Sequence, residues 1–74
     1  MRKPMPVENR VEIHMREVLD EKWAAYFSPF TLISREDESI IIGEVHDQAE
    51  LFGVLLKIRD LGLTLVSLGP VSQT

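Results

Sequence analysis

One stretch of the chain decides the fold, and it reads DQAELFGVLLKIRDLGLTLVS from Asp47 to Ser67. Asp47 suits the N-cap of a helix, and Glu50 completes a capping-box variant because it can reach back to the Asp47 amide. Apolar residues then recur at the i, i+3, i+4 and i+7 spacing of an amphipathic helix, at Leu51, Val54, Leu55, Ile58 and Leu61. Gly62 follows as a C′ glycine. The stretch therefore predicts a helix to about Leu61 that leads into a strand over Leu63–Leu68.

The preceding residues predict three strands and one shorter helix. Asn9–Glu17 alternates apolar and polar side chains, which is typical of a half-buried strand. Asp20 is a good N-cap for a helix over Glu21–Ser28, and Pro29 ends that helix because it lacks an amide proton. The remaining strands are Phe30–Arg35 and Ile40–Val45, joined by the polar residues 36–39. So short a connection makes this pair antiparallel.

The element order β-α-β-β-α-β predicts an α+β domain of the ferredoxin-like class. We expect a four-stranded antiparallel sheet in the order 4-1-3-2. Right-handed crossovers place both helices on one face and leave the other face bare. The domain is predicted over residues 9–70. Residues 1–8, with Pro4 and Pro6, are predicted to be a flexible N-terminal segment and residues 71–74 a C-terminal tail.

Composition narrows the class of protein. The 74 residues carry a formal net charge of −4 and contain no cysteine and two histidines. A chain this short has a small core, and without disulfides self-association is the remaining common means of stabilisation. The negative charge disfavours nucleic acid and anionic membranes as partners. No apolar run is long enough to cross a bilayer or to follow a secretory start, so we expect a cytoplasmic protein.

The run from Gly43 to Leu63 resembles a family of small, uncharacterised prokaryotic proteins. The motif that carries the resemblance is Asp47-Gln48-Ala49, followed by Leu51, Gly53, Leu55 and the segment Ile58-Arg59-Asp60-Leu61-Gly62. This chain has Glu44 where such proteins commonly have proline, which changes a detail at the strand end. The family has no established activity, so the resemblance implies the fold boundaries and no functional residues.

The polar face of the first strand is one candidate ligand site. Glu12, His14 and Arg16 are spaced by two residues and therefore point the same way. A carboxylate beside an imidazole is suited to general acid–base chemistry. The alternative is a solvated strand face, which we favour because no nucleophile or second acid is placed nearby.

Two other acidic or histidine-containing segments are better explained by structure. His46 and Asp47 resemble a dyad, but Asp47 is already used as the helix cap. Glu36-Asp37-Glu38 lacks the spaced oxygen ligands and central glycine of a calcium loop. We therefore predict no catalytic, cofactor-binding or metal-binding residues.

An apolar patch is the second candidate site. If Glu44 points to solvent, Ile40 and Ile42 share its side of the third strand, with Ile33 beside them on the bare face. The opposite phase would place both isoleucines in the core. Phe52 and Leu56 flank the apolar stripe of the second helix and either pack under Trp23 and Tyr26 or meet another subunit. Exposed apolar patches of this kind mark interfaces. The predicted interface residues here are Ile33, Ile40, Ile42, Phe52 and Leu56.

These observations predict a non-catalytic protein-interaction or regulatory module that forms a homodimer through the bare sheet face. One alternative is a domain that senses a small metabolite at a dimer interface. Another is a small enzyme that uses His14 and Glu12.

Overall fold

The computed structural model describes residues 10–71, which form an α+β domain with one antiparallel sheet. Its elements, in chain order, are β1 (Arg10–Met15), a 3₁₀ turn (Glu21–Trp23), α1 (Ala24–Phe27), β2 (Thr31–Ser34), β3 (Ser39–Glu44), α2 (Gln48–Asp60) and β4 (Leu65–Pro70). The predicted α+β class, the antiparallel four-stranded sheet and the two helical segments are confirmed. The predicted segment 1–8 and most of the predicted tail lie outside the described residues.

The strands lie in the order β2-β3-β1-β4, which reads 4-1-3-2 from the other edge. Every neighbouring pair is antiparallel. β3 and β4 therefore run in the same direction on either side of β1, and α2 connects them by crossing that strand. β1 and β4 shift register between His14 and Met15, where the pairing is irregular.

The core lies between the sheet and both helices. Ile13 and Met15 from β1 and Ile41 from β3 are fully buried, and they share a cluster with Phe27, Val54 and Ile58. The alternation predicted for the first strand is confirmed, since Ile13 and Met15 face this core. Leu19 also joins the cluster, with Trp23 half-buried against it.

Hydrogen bonds of the predicted kind fix both ends of α2. The Asp47 carboxylate accepts from the Glu50 amide at 3.0 Å. At the other end Gly62 has φ of 75°, and the Leu63 amide donates to the Ile58 carbonyl at 3.0 Å. This is the Schellman arrangement, which needs a residue that tolerates the left-handed conformation.

The boundaries of several elements differ from the predictions. The first helix is split into a 3₁₀ turn and one α-helical turn, and the peptide bond between Ser28 and Pro29 is cis. β4 begins at Leu65 rather than Leu63, because the Thr64 amide and hydroxyl both donate to the Glu17 carboxylate, each at 2.8 Å. That contact holds the start of β4 beside the end of β1.

Candidate functional site

The open face of the sheet carries a histidine held between two carboxylates. In register, His14 lies opposite Ile40 and Glu12 opposite Ile42. His14 Nε2 is 2.8 Å from Glu12 Oε1, and His14 Nδ1 is 2.9 Å from Glu38 Oε1. The three side chains are each about a quarter exposed. The strand pairing thus lets Glu38, in the loop between β2 and β3, contact His14 on the central strand β1.

This arrangement favours the imidazolium form of His14. The hydrogen bonds to Glu12 and then to Glu38 raise the pKa of His14 above its ordinary value, against a smaller lowering by burial. When both ring nitrogens donate, neither offers a lone pair to accept a proton. The group is therefore better suited to joining two chain segments than to acting as a general base.

The predicted ligand face is accordingly rearranged. Glu12 and His14 meet as expected, but Arg16 is replaced as the third member by Glu38. β1 ends at Met15. The next residue, Arg16, is exposed, and its amide donates a hydrogen bond to the Thr64 carbonyl. The alternation along one strand could find Glu12 beside His14. The arrival of Glu38 depends on the register of another strand, for which the sequence carries no signal.

Hydrogen bonds from two serines, the buried Ser39 and the exposed Ser34, explain why the hairpin lies close to β1. Ser39 is fully buried, and its hydroxyl accepts from the Leu19 amide at 2.7 Å. The Ser34 hydroxyl donates to the Leu19 carbonyl. These two serines face each other in register. Because both bind the same loop residue, the hairpin that carries Glu38 is anchored to the loop that follows β1.

The predicted apolar patch lies on the open face but is smaller than expected. Ile33 lies opposite Ile40, and Ile40 lies opposite His14, so these residues and Ile42 share the open face. Ile40, however, is only 5% exposed, and its neighbours Ile33 and Ile42 are half-buried. Of the two orientations considered for the third strand, the register matches the one that places Ile40 and Ile42 on the open face. Ile40 is less exposed there than expected because its cross-strand neighbours shield it.

Exposed apolar side chains concentrate elsewhere, on β4 and the outer surface of α2. Phe52 and Leu56 are 56% and 48% exposed. The alternative that they pack under Trp23 and Tyr26 is therefore wrong. On β4, the side chains of Leu65, Val66 and Leu68 are 46%, 56% and 39% exposed. The predicted patch of Ile33, Ile40, Ile42, Phe52 and Leu56 includes none of these β4 side chains, because the period of a strand does not show how far its edge is covered.

A second histidine stands at the start of α2, where a cavity of about 370 Å³ opens. Its floor includes Phe27, Phe30 and Val54, and charged side chains stand at its rim. His46 Nδ1 is 3.0 Å from Glu50 Oε1, and its Nε2 is 3.7 Å from Glu44 Oε1. The hydrogen bond to Glu50 is the main cause that raises the pKa of His46.

The capping box differs from the prediction at this point. Glu50 accepts from the His46 amide at 2.8 Å, one residue before the predicted Asp47 amide. Because Asp47 caps the helix, the His46-Asp47 dyad is absent, and His46 instead contacts Glu50 and Glu44. Within residues 10–71 no group of three His, Cys, Asp or Glu side chains is arranged to hold a metal ion.

Comparison with known proteins assigns the chain to a family. Residues 10–69 match the family described as Domain of unknown function (DUF8691). The chain belongs to this family. The matched range coincides closely with the folded domain and includes both histidine clusters, α2 and nearly all of β4. Neither the curated proteins nor the solved structures compared with the chain gave a match.

No helix among the described residues is both long and apolar enough to cross a membrane. The longest, α2, has 13 residues and carries charged side chains at both ends.

Proposed function

We propose that this DUF8691 domain is a ferredoxin-like, non-catalytic interaction module that self-associates. The order of elements, the crossing of β1 by α2 and the shared core beneath both helices support that arrangement. The non-catalytic role is supported by His14, whose ring nitrogens are both engaged by carboxylates.

The uncharged edge of β4 is the observation that carries the proposal. Within residues 10–71, β4 pairs with β1 alone, so one row of its backbone amides and carbonyls faces outward. Proteins usually protect such an edge with charge, proline or a short strand. β4 has six residues, its only proline is at the end, and residues 63–70 contain no charged side chain. The edge is thus suited to pairing with another strand.

The opposite edge shows the contrast. β2 has only four residues and is followed by the charged run Arg35-Glu36-Asp37-Glu38. A short, charge-flanked edge disfavours pairing between molecules. We therefore propose β4, and not β2, as the strand that meets a second copy.

Two copies would pair β4 with β4 in antiparallel register about a two-fold axis. Such an interface uses the same patch on both subunits and closes after two. Each chain has a net charge of −4, so most contacts between two copies would bring like charges together. Pairing through the uncharged β4 strand avoids this repulsion.

Replacing Val66 by lysine tests the interface. Val66 is 56% exposed, so a longer side chain can be placed there, and a lysine would add one positive charge from each copy to the shared β4 edge. We expect Val66→Lys to shift the dimer toward monomer in light scattering coupled to size exclusion. Thr31→Lys, which places the same charge on the exposed β2 edge, is the matched control and should leave the molar mass unchanged.

A third variant separates the β4 edge from the open sheet face. Ile42→Lys places a charge on the predicted patch of that face, and circular dichroism would establish that the variant folds. If folded Ile42→Lys dissociates while Val66→Lys remains dimeric, then the sheet face and not β4 is the interface.

A further inference from the structure

The cavity beside α2 has walls of opposite charge at its two ends. Glu44, His46 and Glu50 stand at the end where α2 begins, and Lys57 stands two turns further along. Lys57 lies seven positions after Glu50, which is about 10 Å along a helix axis. The two carboxylates are about half exposed, so a bound cation can reach them. Lys57 Nζ donates to the Tyr26 carbonyl at 3.2 Å, which holds the ammonium at the far end.

Between these ends the cavity is apolar and its floor is fixed. Phe27 is 1% and Val54 6% exposed. The Phe30 ring lies so close to Gly43 that a Cβ on that glycine would be 2.6 Å from the ring. The absence of a side chain at Gly43 therefore sets the position of the aromatic ring that forms part of the floor.

Gly53 leaves the middle of the helical wall bare. It lies in α2 between the charged ends, with helical backbone, and an added Cβ would meet no atom of the domain within 4 Å. A glycine in the middle of a helix is less favourable than alanine. Nothing within the described chain needs this glycine, whereas a bound molecule lying against the helix backbone would.

We propose that this cavity binds a short apolar peptide with free termini, its ammonium at Glu44 and Glu50 and its carboxylate at Lys57. A fully extended chain spans at most about 3.3–3.6 Å per residue, so three residues match the separation of the charged ends. The volume lies at the lower end of the range for small-molecule sites, and an apolar lining with a few polar groups is their usual composition. The peptide ammonium replaces the His46 ring as the hydrogen-bond partner of the Glu50 carboxylate.

Titration with alanyl-leucyl-alanine, followed by amide chemical shifts in ¹⁵N-labelled protein, tests the proposal. We expect saturable shifts at the amides of Gly53, Glu50 and Lys57 with a dissociation constant below about 1 mM, since ligands of this size bind with modest energy per atom. The N-acetylated and C-amidated forms of the same peptide each remove one terminal charge. Each should bind at least about tenfold more weakly. Equal binding of all three forms would contradict the assignment of the charged ends.

Gly53→Leu provides the matched protein variant. A Cβ added at Gly53 points into open space at the cavity wall, and leucine favours a helix more than glycine does. We expect a melting temperature equal to or above that of the wild type, together with loss of the peptide-induced shifts.

Two further variants test the charged end and the independence of the site. Lys57→Gln should weaken binding of the peptide with a free carboxylate but leave binding of the C-amidated peptide unchanged. Val66→Lys should bind as the wild type does, which separates this site from the β4 interface. Absence of shifts in the wild type up to 10 mM peptide, or unchanged binding by folded Gly53→Leu, would overturn the proposal.

Discussion

At the scale of single residues, His14 connects segments that are far apart in the chain. Its ring joins β1 to the β2–β3 hairpin through Glu12 and Glu38. Two carboxylates brought this close would repel each other if the ring between them were neutral. The positive imidazolium therefore stabilises the open face of the sheet, and its loss exposes the repulsion.

The stability contributed by His14 should depend on pH. The pKa of His14 in the folded state is raised above 6.5 by Glu12 and Glu38. Its contribution is therefore fully present below pH 6.5 and is lost as the pH rises through the folded-state pKa. We expect His14→Gln to lower the free energy of unfolding by about 1–2 kcal/mol at pH 6, since charge-assisted hydrogen bonds are removed.

Urea denaturation of wild type and His14→Gln at pH 6 and pH 9 measures this difference. The difference in free energy of unfolding between wild type and His14→Gln should become smaller as the pH rises. His46→Gln is the control, because its ring is 68% exposed and joins neighbouring residues only. A gap for His14→Gln that is constant or wider at pH 9 contradicts the assigned role.

At the scale of elements, the sequence predicted α2 best. Its cap at Asp47, its apolar stripe and its C′ glycine Gly62 are all local signals, and each is present in the structure. The split of the first helix and the late start of β4 were missed. Both depend on contacts between distant segments, such as the hydrogen bonds from Thr64 to Glu17.

The N-cap of α2 offers a direct measure of such a local signal. Asp47→Ala removes the acceptor of the Glu50 amide, and we expect a loss of about 0.5–2 kcal/mol in the free energy of unfolding. Asp47→Asn keeps an acceptor oxygen and should lose less. Chemical denaturation of the three proteins makes the comparison. Equal stability of wild type and Asp47→Ala would show that this cap contributes nothing.

At the scale of the whole molecule, strand pairing decides which residues come together. The sequence left two orientations open for Ile40 and Ile42, and the register places them with Ile33 on the open face. It could not show that Ile40 is shielded there or that Glu38 reaches His14, because both follow from packing across three strands. Nor could periodicity within one element disclose the cavity, whose walls come from α2, the Pro29 turn and the end of β3.

The two edges of the sheet differ in length and charge, and this difference is the basis of the proposed self-association. β2 is short and followed by charged residues, whereas β4 is longer, uncharged and lined by exposed Leu65, Val66 and Leu68. A small core without disulfides gains additional burial when such an edge is covered. The matched residues 10–69 include nearly the whole of this edge.

The molar mass of the wild-type protein in solution shows whether two chains associate. Sedimentation equilibrium over a concentration series into the high micromolar range measures it without reference to a standard. We expect a species of twice the 8.5 kDa chain mass, with the monomer appearing on dilution. A mass of 8.5 kDa at every concentration would contradict self-association through β4.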